Sequence, residues 1–303
     1  MRYIPELSPG QCAEALSASH ALWGGGQTPA DRLAKLVGLM RDWPGRLSMA
    51  GLVDDAGRVT ASLKRYALVL DLPDPSPPRP AVGLGAIFTA PERRKQGLAE
   101  RLVRTVLDEA YAGGASGALL FSDIDPKYYE RFGFAALPAF TGWARTQDLP
   151  PADALAPAPP EPGFMLAVRA AGLPPGTVRA HVDAAHRDFF RRLNFTGQDF
   201  LLKRGGEAVG TLSACFEEDS LWVEELYCLE TAAGAPEQAW GLVRRLAEER
   251  GLKRVGSWMD PPGPLSAFKL TARAKAIPML AAAPGSALRV PPERAWFGSL
   301  DHF

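Results

Sequence analysis

The 303-residue sequence predicts a mixed α/β (α+β) fold made of two mixed-sheet domains in tandem. Three observations lead there. The length is twice the ~150 residues of a common domain. A proline-rich seam, Leu149 to Pro162, holds six prolines in fourteen residues. A strand–turn–helix–strand order occurs on both sides of that seam. The expected division is 1–148, a linker at 149–162, and 163–303. Proline lacks an N–H and disfavours helix in the residue before it, so the seam is expected to be extended and semi-rigid.

Each element has a local reason. Residues 10–22 and 29–41 read as helices, the second opened by Thr28 as N-cap and Pro29 at the first helical position. Leu47 to Val53 and Val59 to Leu70 read as a strand pair around the turn Asp54-Asp55-Ala56-Gly57. Leu72 to Pro80 is a second, shorter proline-rich stretch, expected to be a loop. A third strand covers Ala81 to Thr89. The next helix runs from Gly97 to Tyr111. Its Leu98, Leu102, Val103, Val106, Leu107 and Ala110 form one apolar stripe, and Gly113-Gly114 stops it. Ala118 to Phe121 is a short buried strand. Asp125-Pro126 opens a short helix ending near Gly133. The crossover between the strands flanking the long helix demands one parallel pair inside a largely antiparallel sheet.

After the seam the rhythm returns. Residues 177–193 read as helix. Asp199 to Lys203, Gly210 to Phe216 and Leu221 to Tyr227 read as strands. Ala235 to Arg250 is a helix with Ala239, Trp240, Leu242, Val243 and Leu246 on its apolar side, and Val255 to Met259 is a strand. The halves share one plan without a literal sequence repeat.

Composition narrows the function. Hydrophobic residues make up 47% and charged residues 22%, ordinary for a globular protein. Thirty-four basic residues balance 34 acidic ones, which argues against a nucleic-acid partner bound through a broad cationic surface. Three cysteines, Cys12, Cys215 and Cys228, are too few for a disulfide framework and point to reduced thiols. No Cys/His spacing suggests a metal site, so no metal is expected. His20, His181, His186 and His302 form no site by spacing, and Arg187, Arg191 and Arg192 read as a solvated helix face. The N-terminus does not resemble a signal peptide, and no apolar run approaches the ~20 residues that span a bilayer. The expectation is a cytoplasmic protein with no membrane partner.

The stretch that carries chemistry is Ala86 to Ala99. An apolar strand enters the basic turn Arg93-Arg94-Lys95-Gln96, and the turn opens an amphipathic helix. Gly97 and Ala99 are small, so an anion can come close to the backbone. The first N–H groups of a helix have no partner within it, and the helix dipole is positive at that end. Together these make a diphosphate cradle. The competing role for such a turn is an ordinary helix start with exposed Arg and Lys. A second motif decides between them: Phe121-Ser122-Asp123-Ile124-Asp125-Pro126-Lys127-Tyr128-Tyr129-Glu130-Arg131-Phe132-Gly133-Phe134.

The pair resembles the GCN5-related N-acetyltransferase (GNAT) superfamily. Arg94-Lys95-Gln96-Gly97-Leu98-Ala99 is similar to that family's Arg/Gln-x-x-Gly-x-Gly/Ala signature for acetyl-CoA. Tyr129-Glu130-Arg131-Phe132-Gly133-Phe134 is similar to its Tyr-x-x-x-Gly-Phe signature. The resemblance is specific over 81–134 and extends over 1–148. It implies two GNAT-like domains in tandem. Ile87, Phe88 and Thr89 would offer main-chain groups to the pantetheine arm of acetyl-CoA. Arg94, Lys95, Gln96, Gly97, Leu98 and Ala99 would hold the pyrophosphate. Ser122 stands where the family often has the Asn that contacts pantetheine.

Acetyl transfer to an amine asks for three things: a proton leaves the amine, the thioester carbonyl is polarised, and the departing thiolate is protonated. The main-chain N–H at Phe88 can serve the carbonyl. Tyr129 resembles the family's general acid, against the alternative of a half-buried core tyrosine. Tyr128 is the alternative acid, since neighbouring helix positions face ~100° apart. Asp123 is the candidate base at the strand end, against a plain solvated turn. Asp125 reads as a helix cap, and Glu130 faces solvent.

The second half lacks the cofactor signature. The turn Leu229 to Pro236 has no Arg or Gln before a Gly-x-Gly/Ala, and Glu230 there would repel a diphosphate. The second domain is expected to be degenerate and to shape the acceptor pocket. Glu224 and Glu225 sit on adjacent strand positions, open to a substrate ammonium, a base role, or a salt bridge or solvated edge. The tandem halves and the Tyr-x-Arg-Phe-Gly-aromatic stretch also resemble Eis-type acetyltransferases, in which a free terminal carboxylate serves the site. Phe303 ends an aromatic, strand-like tail here, and adding residues after it tests that role. Gly83 to Thr89, Phe121 to Ile124 and the tyrosines are similar to fungal lysine N-acetyltransferases. The expected function is acetyl-CoA-dependent transfer to a primary amine of a small molecule: an amino acid, a polyamine or an aminoglycoside-like compound. The alternatives are a non-catalytic acyl-CoA-binding module and a protein lysine or N-terminal acetyltransferase.

Overall fold

The computed structural model describes residues 1–24, 26–70, 78–151, 155–161, 163–165, 167–168, 195–229, 234–258, 265–286 and 288. The chain opens with a short strand, β1 (Arg2–Ile4), followed by α1 (Pro9–Ala18), α2 (His20–Trp23) and α3 (Pro29–Asp42). Reciprocal capping boxes start α1 and α3. Ser8 pairs with Gln11, and Thr28 pairs with Asp31, with proline in the first turn each time. Strands β2 (Leu47–Val53), β3 (Val59–Leu70) and β4 (Arg79–Thr89) follow, then α4 (Leu98–Ala112), β5 (Gly117–Ser122) and α5 (Lys127–Glu130). Most of these elements fall where the hydrophobic pattern places them, but β1 was not expected, and the single helix expected over 10–22 is broken at Ser19 into α1 and α2. The expected loop at 72–80 lies mostly outside the described residues, and Arg79 and Pro80 already belong to β4.

Helices cover both faces of the first sheet. On one side α4 buries Leu98, Leu102, Val103, Val106 and Leu107 against Leu63, Leu84 and Leu120. On the other, Cys12, Leu16, Leu36 and Leu39 of α1 and α3 pack on Tyr66, Leu68 and Leu70 of β3. Each apolar stripe meets one face of a half-pleated strand, as period 3.6 against period 2 requires.

Past α5 come β6 (Ala135–Ala136), β7 (Phe140–Arg145), β8 (Leu155–Ala158), β9 (Gln198–Arg204), β10 (Glu207–Phe216), β11 (Ser220–Cys228), α6 (Ala235–Glu248), β12 (Arg254–Ser257), β13 (Lys269–Ala272) and β14 (Ile277–Ala282). There are two mixed seven-stranded sheets. The first has the order β1-β2-β3-β4-β5-β14-β6, the second β13-β7-β12-β11-β10-β9-β8. Each contains one parallel pair, β4 with β5 and β11 with β12, as the two crossovers require. In the second sheet α6 packs Trp240, Val243 and Leu246 on Leu212, Leu221 and Val255.

The sheets exchange strands. β7 precedes the proline-rich segment in sequence yet lies in the second sheet, between β12 and β13. β14 comes near the end and lies in the first sheet, between β5 and β6. The proline-rich segment also differs from the extended linker expected of it. Leu155 to Ala158 form an edge strand on β9, with Pro157 opposite Leu202. Leu149 and Leu155 are buried in the second core. An edge strand accepts proline because one side of its backbone needs no ladder partner. The expected helix at 177–193, with His181, His186, Arg187, Arg191 and Arg192, lies outside the described residues. So do Glu230, Met259, His302 and the tail ending at Phe303. No described helix is long and apolar enough to cross a membrane.

Candidate active site

The site begins with a fault in a strand. In β4 the register to β3 slips: Phe88 faces Ser62, but Gly85 faces Lys64, so Ala86 and Ile87 together oppose Leu63. Ala86 takes φ +48°, a left-handed value unusual for a residue with a side chain. A bulge like this bends its strand and raises its twist. Parallel pairing between β4 and β5 covers only Ala81–Leu84 against Gly117–Leu120. Beyond that point the strands part. Phe88 and Thr89 stay paired with β3 on one side, and the backbone of Ile87 to Thr89 has no β5 partner on the other. Unpaired backbone of this kind can take an extended ligand as an added strand.

Below the divergence lies the basic turn. Lys95 and Gly97 both take positive φ, +63° and +73°. Gly97 caps α4 from that left-handed conformation, and the Cβ position it lacks has no heavy atom within 4 Å. The first bond into the helix runs from Arg101 N–H to the Gly97 carbonyl at 2.9 Å. The amides of Leu98, Ala99 and Glu100 therefore end the helix without an internal partner. A cavity of about 550 Å³ opens over them, lined by Ile87, Phe88, Thr89, Arg94, Lys95 and Gly97 to Glu100, with Tyr128 and Tyr129. Glu100 is the one carboxylate on that wall, and it is paired with Arg104 at 3.1 Å and Arg131 at 3.4 Å. Arg93 lies 3.8 Å from Asp54. The donor set and the open glycine fit a linked diphosphate.

Two of the expected contacts are not on the cavity wall. Gln96 turns its amide back to the Glu92 carbonyl at 3.5 Å. Ser122 is buried, and its hydroxyl donates to the Ile124 carbonyl at 2.8 Å while accepting from the Ile124 N–H. A serine hydroxyl satisfied locally in this way braces the turn after β5 and has little left for a ligand.

Tyr129 is buried and its ring packs between Tyr128 and Phe134, with centroids 5.0 and 6.3 Å away. Burial first, then Tyr128 and Asp123, push its phenol up to about 12. It is therefore protonated at neutral pH, the form an acid needs. Tyr128 is half-buried, and the Arg131 guanidinium lies 4.1 Å from its ring centroid. Asp123 is exposed, and its carboxylate accepts the Ala276 N–H at 3.0 Å, tying the β5 end to the approach of β14. Asp125 accepts the Lys127 N–H at 3.0 Å, but Pro126 holds the cap position of α5, one residue after the Asp125 expected there.

A second cavity of about 360 Å³ adjoins the first. Ile87, Ile124 and Tyr129 belong to both walls. The rest of its lining includes Arg32 and Lys35 of α3, Lys64 and Tyr66 of β3, and Asp123. Sequence reasoning missed the three cations, because they lie on two elements separated by another strand. The available signal was Lys64 itself, a lysine on the strand face that carries Tyr66, Leu68 and Leu70.

The second sheet repeats the fault. Glu224 is the extra residue of a bulge in β11, between Val223 and Glu225. Gly234 caps α6 at φ +71°, as Gly97 caps α4. Beyond the bulge Tyr227 and Val168 are buried together, with Phe164, Leu229 and Trp258 packed against them. Glu224 and Glu225 are both buried, unlike the solvated edge that was one expectation, and the Cys215 thiol lies 3.7 Å from Glu224 Oε1. Burial raises all three thiols, to about 11 for Cys12 and Cys215 and about 12 for Cys228, so none is a ready nucleophile. Among the described residues no three His, Cys, Asp or Glu side chains gather as a metal would need.

Comparison with known proteins follows the same lines. Residues 14–137 match the family model of an acetyltransferase (GNAT) domain. No curated protein matches the chain. Among solved structures, a GCN5-related N-acetyltransferase from Kribbella flavida superposes with a TM-score of 0.68 at 16% identity, over 94% of this chain and 72% of that one. Eis1 from Mycobacterium abscessus gives 0.64 at 16% identity, over 95% and 75%. A tandem GNAT protein from the clavulanic acid biosynthesis pathway gives 0.53 at 14% identity, over 93% and 98%. At such identities the likeness is one of fold.

Proposed function

We propose that this protein, whose residues 14–137 form an acetyltransferase (GNAT) domain, moves an acetyl group from acetyl-CoA to a primary amine of a small molecule by direct transfer. The observation that carries the proposal is the position of Tyr129. It is a protonated, buried phenol on the wall shared by a diphosphate-fitted cleft and a second, half-enclosed cavity. Amides at the start of α4, with Arg94 and Lys95, hold the phosphates. The unpaired edge of β4 aligns the pantetheine arm, and the Phe88 N–H polarises the carbonyl. Tyr129 donates its hydroxyl proton toward the departing sulfur. Asp123 lies at the mouth of the acceptor cavity, where it receives the amine's proton directly or through water. The second domain serves to complete the first sheet and to shape the acceptor side.

The test is thiol release from acetyl-CoA over a wide panel of amines, with acetyl-CoA binding followed by calorimetry. Heat of binding together with release that depends on an amine is the expected result. Binding with no release for any amine would favour an acyl-CoA-binding module instead.

A further inference from the structure

The acceptor cavity is not built for a cation. Among the described residues four charged side chains line it, and three are basic, Arg32, Lys35 and Lys64. The fourth, Asp123, already accepts the Ala276 N–H. Lys64 reaches the cavity from an inward-facing position of β3, on the face that carries Tyr66, Leu68 and Leu70 into the core. Arg32 is buried, and its Nη1 donates to the Leu16 carbonyl at 3.2 Å, which fixes the guanidinium at the cavity wall. Holding Lys64 beside the Arg32 guanidinium on a half-enclosed wall is costly, and an anion bound there would offset that cost. Burial, with repulsion from Arg32 and Lys35, accordingly pulls Lys64 down to about 8. A polyamine or an aminoglycoside would meet this wall with its own positive charge.

We infer that the acceptor of the proposed transfer carries an anionic group, a carboxylate or a phosphate, which Lys64 and Arg32 engage while its amine faces Tyr129 and Asp123. The inference rests on the transferase function above. Leu16, Leu36 and Ile87 line the same space, so the body between the two polar ends is apolar. The substrate class is an amino acid or an amino-phosphate with an aliphatic or aromatic body.

Matched probes test this. Phenylalanine is compared with phenethylamine, 6-aminohexanoate with hexylamine, and phosphoethanolamine with ethanolamine. Spermidine and kanamycin serve as cationic acceptors. At pH 7 the acidic member of at least one pair is expected to show kcat/KM about 10- to 100-fold above its neutralised partner, the scale of a hydrogen bond to a charged group. Which pair responds separates carboxylate from phosphate. Lys64→Met removes a charge the fold holds at a cost, so the variant should fold. It is expected to raise KM for the acid about 10- to 100-fold and so to erase the preference for the acid over the plain amine. Lys64→Arg should restore the preference. The preference should also fade as pH rises through about 8, where Lys64 loses its proton. Equal turnover within every pair, or a preference for spermidine or kanamycin, would overturn the inference and leave the transferase intact. Release with no amine at all would overturn both.

Discussion

Replacing Tyr129 with phenylalanine is expected to slow amine-dependent thiol release by about 10²–10⁴-fold, the usual worth of a positioned acid. Acetyl-CoA should bind as before. The substitution removes one hydroxyl and keeps the ring that packs with Tyr128, Phe132 and Phe134, so the fold survives. The effect follows from the proton's whereabouts. A phenol pushed up to about 12 holds its proton across the physiological range. The burial that does this also raises the proton affinity of a thiolate formed beside it, so donor and acceptor move together. Tyr128→Phe serves as the control. Its ring is held by Arg131, and its loss of a hydroxyl should leave the rate near that of the parent protein. Stopped-flow or continuous thiol detection separates the two. A Tyr129→Phe enzyme of undiminished rate would remove Tyr129 from the chemistry.

The second large effect concerns folding. Residues 1–151 produced alone should fail to reach a cooperative folded state. Without β14, the buried strand β5 loses its neighbour along Ser122 to Gly117. Met279, Leu280 and Ala281 are nearly inaccessible in the whole chain and leave the core with it. Burying a Met or Leu is worth about 1.5–3 kcal/mol each, and a domain's net stability is only about 5–15 kcal/mol. The exposed edge would also invite association. Residues 155–303 would in turn miss β7 between β12 and β13. Co-expression of the two pieces should restore both sheets. Circular dichroism melts and size-exclusion profiles give the answer. A monomeric 1–151 fragment melting like the full chain would refute the strand exchange.

The exchange also marks where sequence reasoning ends. Local signals placed most elements within a residue or two: Leu47–Val53 and Val59–Leu70 by alternation, α3 by Thr28 and Pro29, α4 by its stripe and Gly113. They named strand 140–145 nowhere, and they could not say that 277–282 joins the first sheet. Pairing partners are set by contacts far apart in the chain, which alternation alone does not encode. The basic turn that opens α4 and the position of Tyr129 were legible because each motif is contiguous. Ser122 and Gln96 were legible as positions but not as orientations, since a hydroxyl satisfied by Ile124 looks in sequence like one free for a ligand. The cationic wall was invisible for the opposite reason: its members come from α3 and β3, and no spacing rule links 32, 35 and 64.

The most direct measurement is a crystal structure of the protein with coenzyme A. The diphosphate should lie on the amides that open α4, beside Arg94 and Lys95, with the pantetheine arm along Ile87 to Thr89. The sulfur should sit within hydrogen-bonding reach of the Tyr129 hydroxyl, at the opening to the cavity that Lys64 lines. Coenzyme found outside this cleft, or seated in it with the sulfur turned away from Tyr129, would contradict the site.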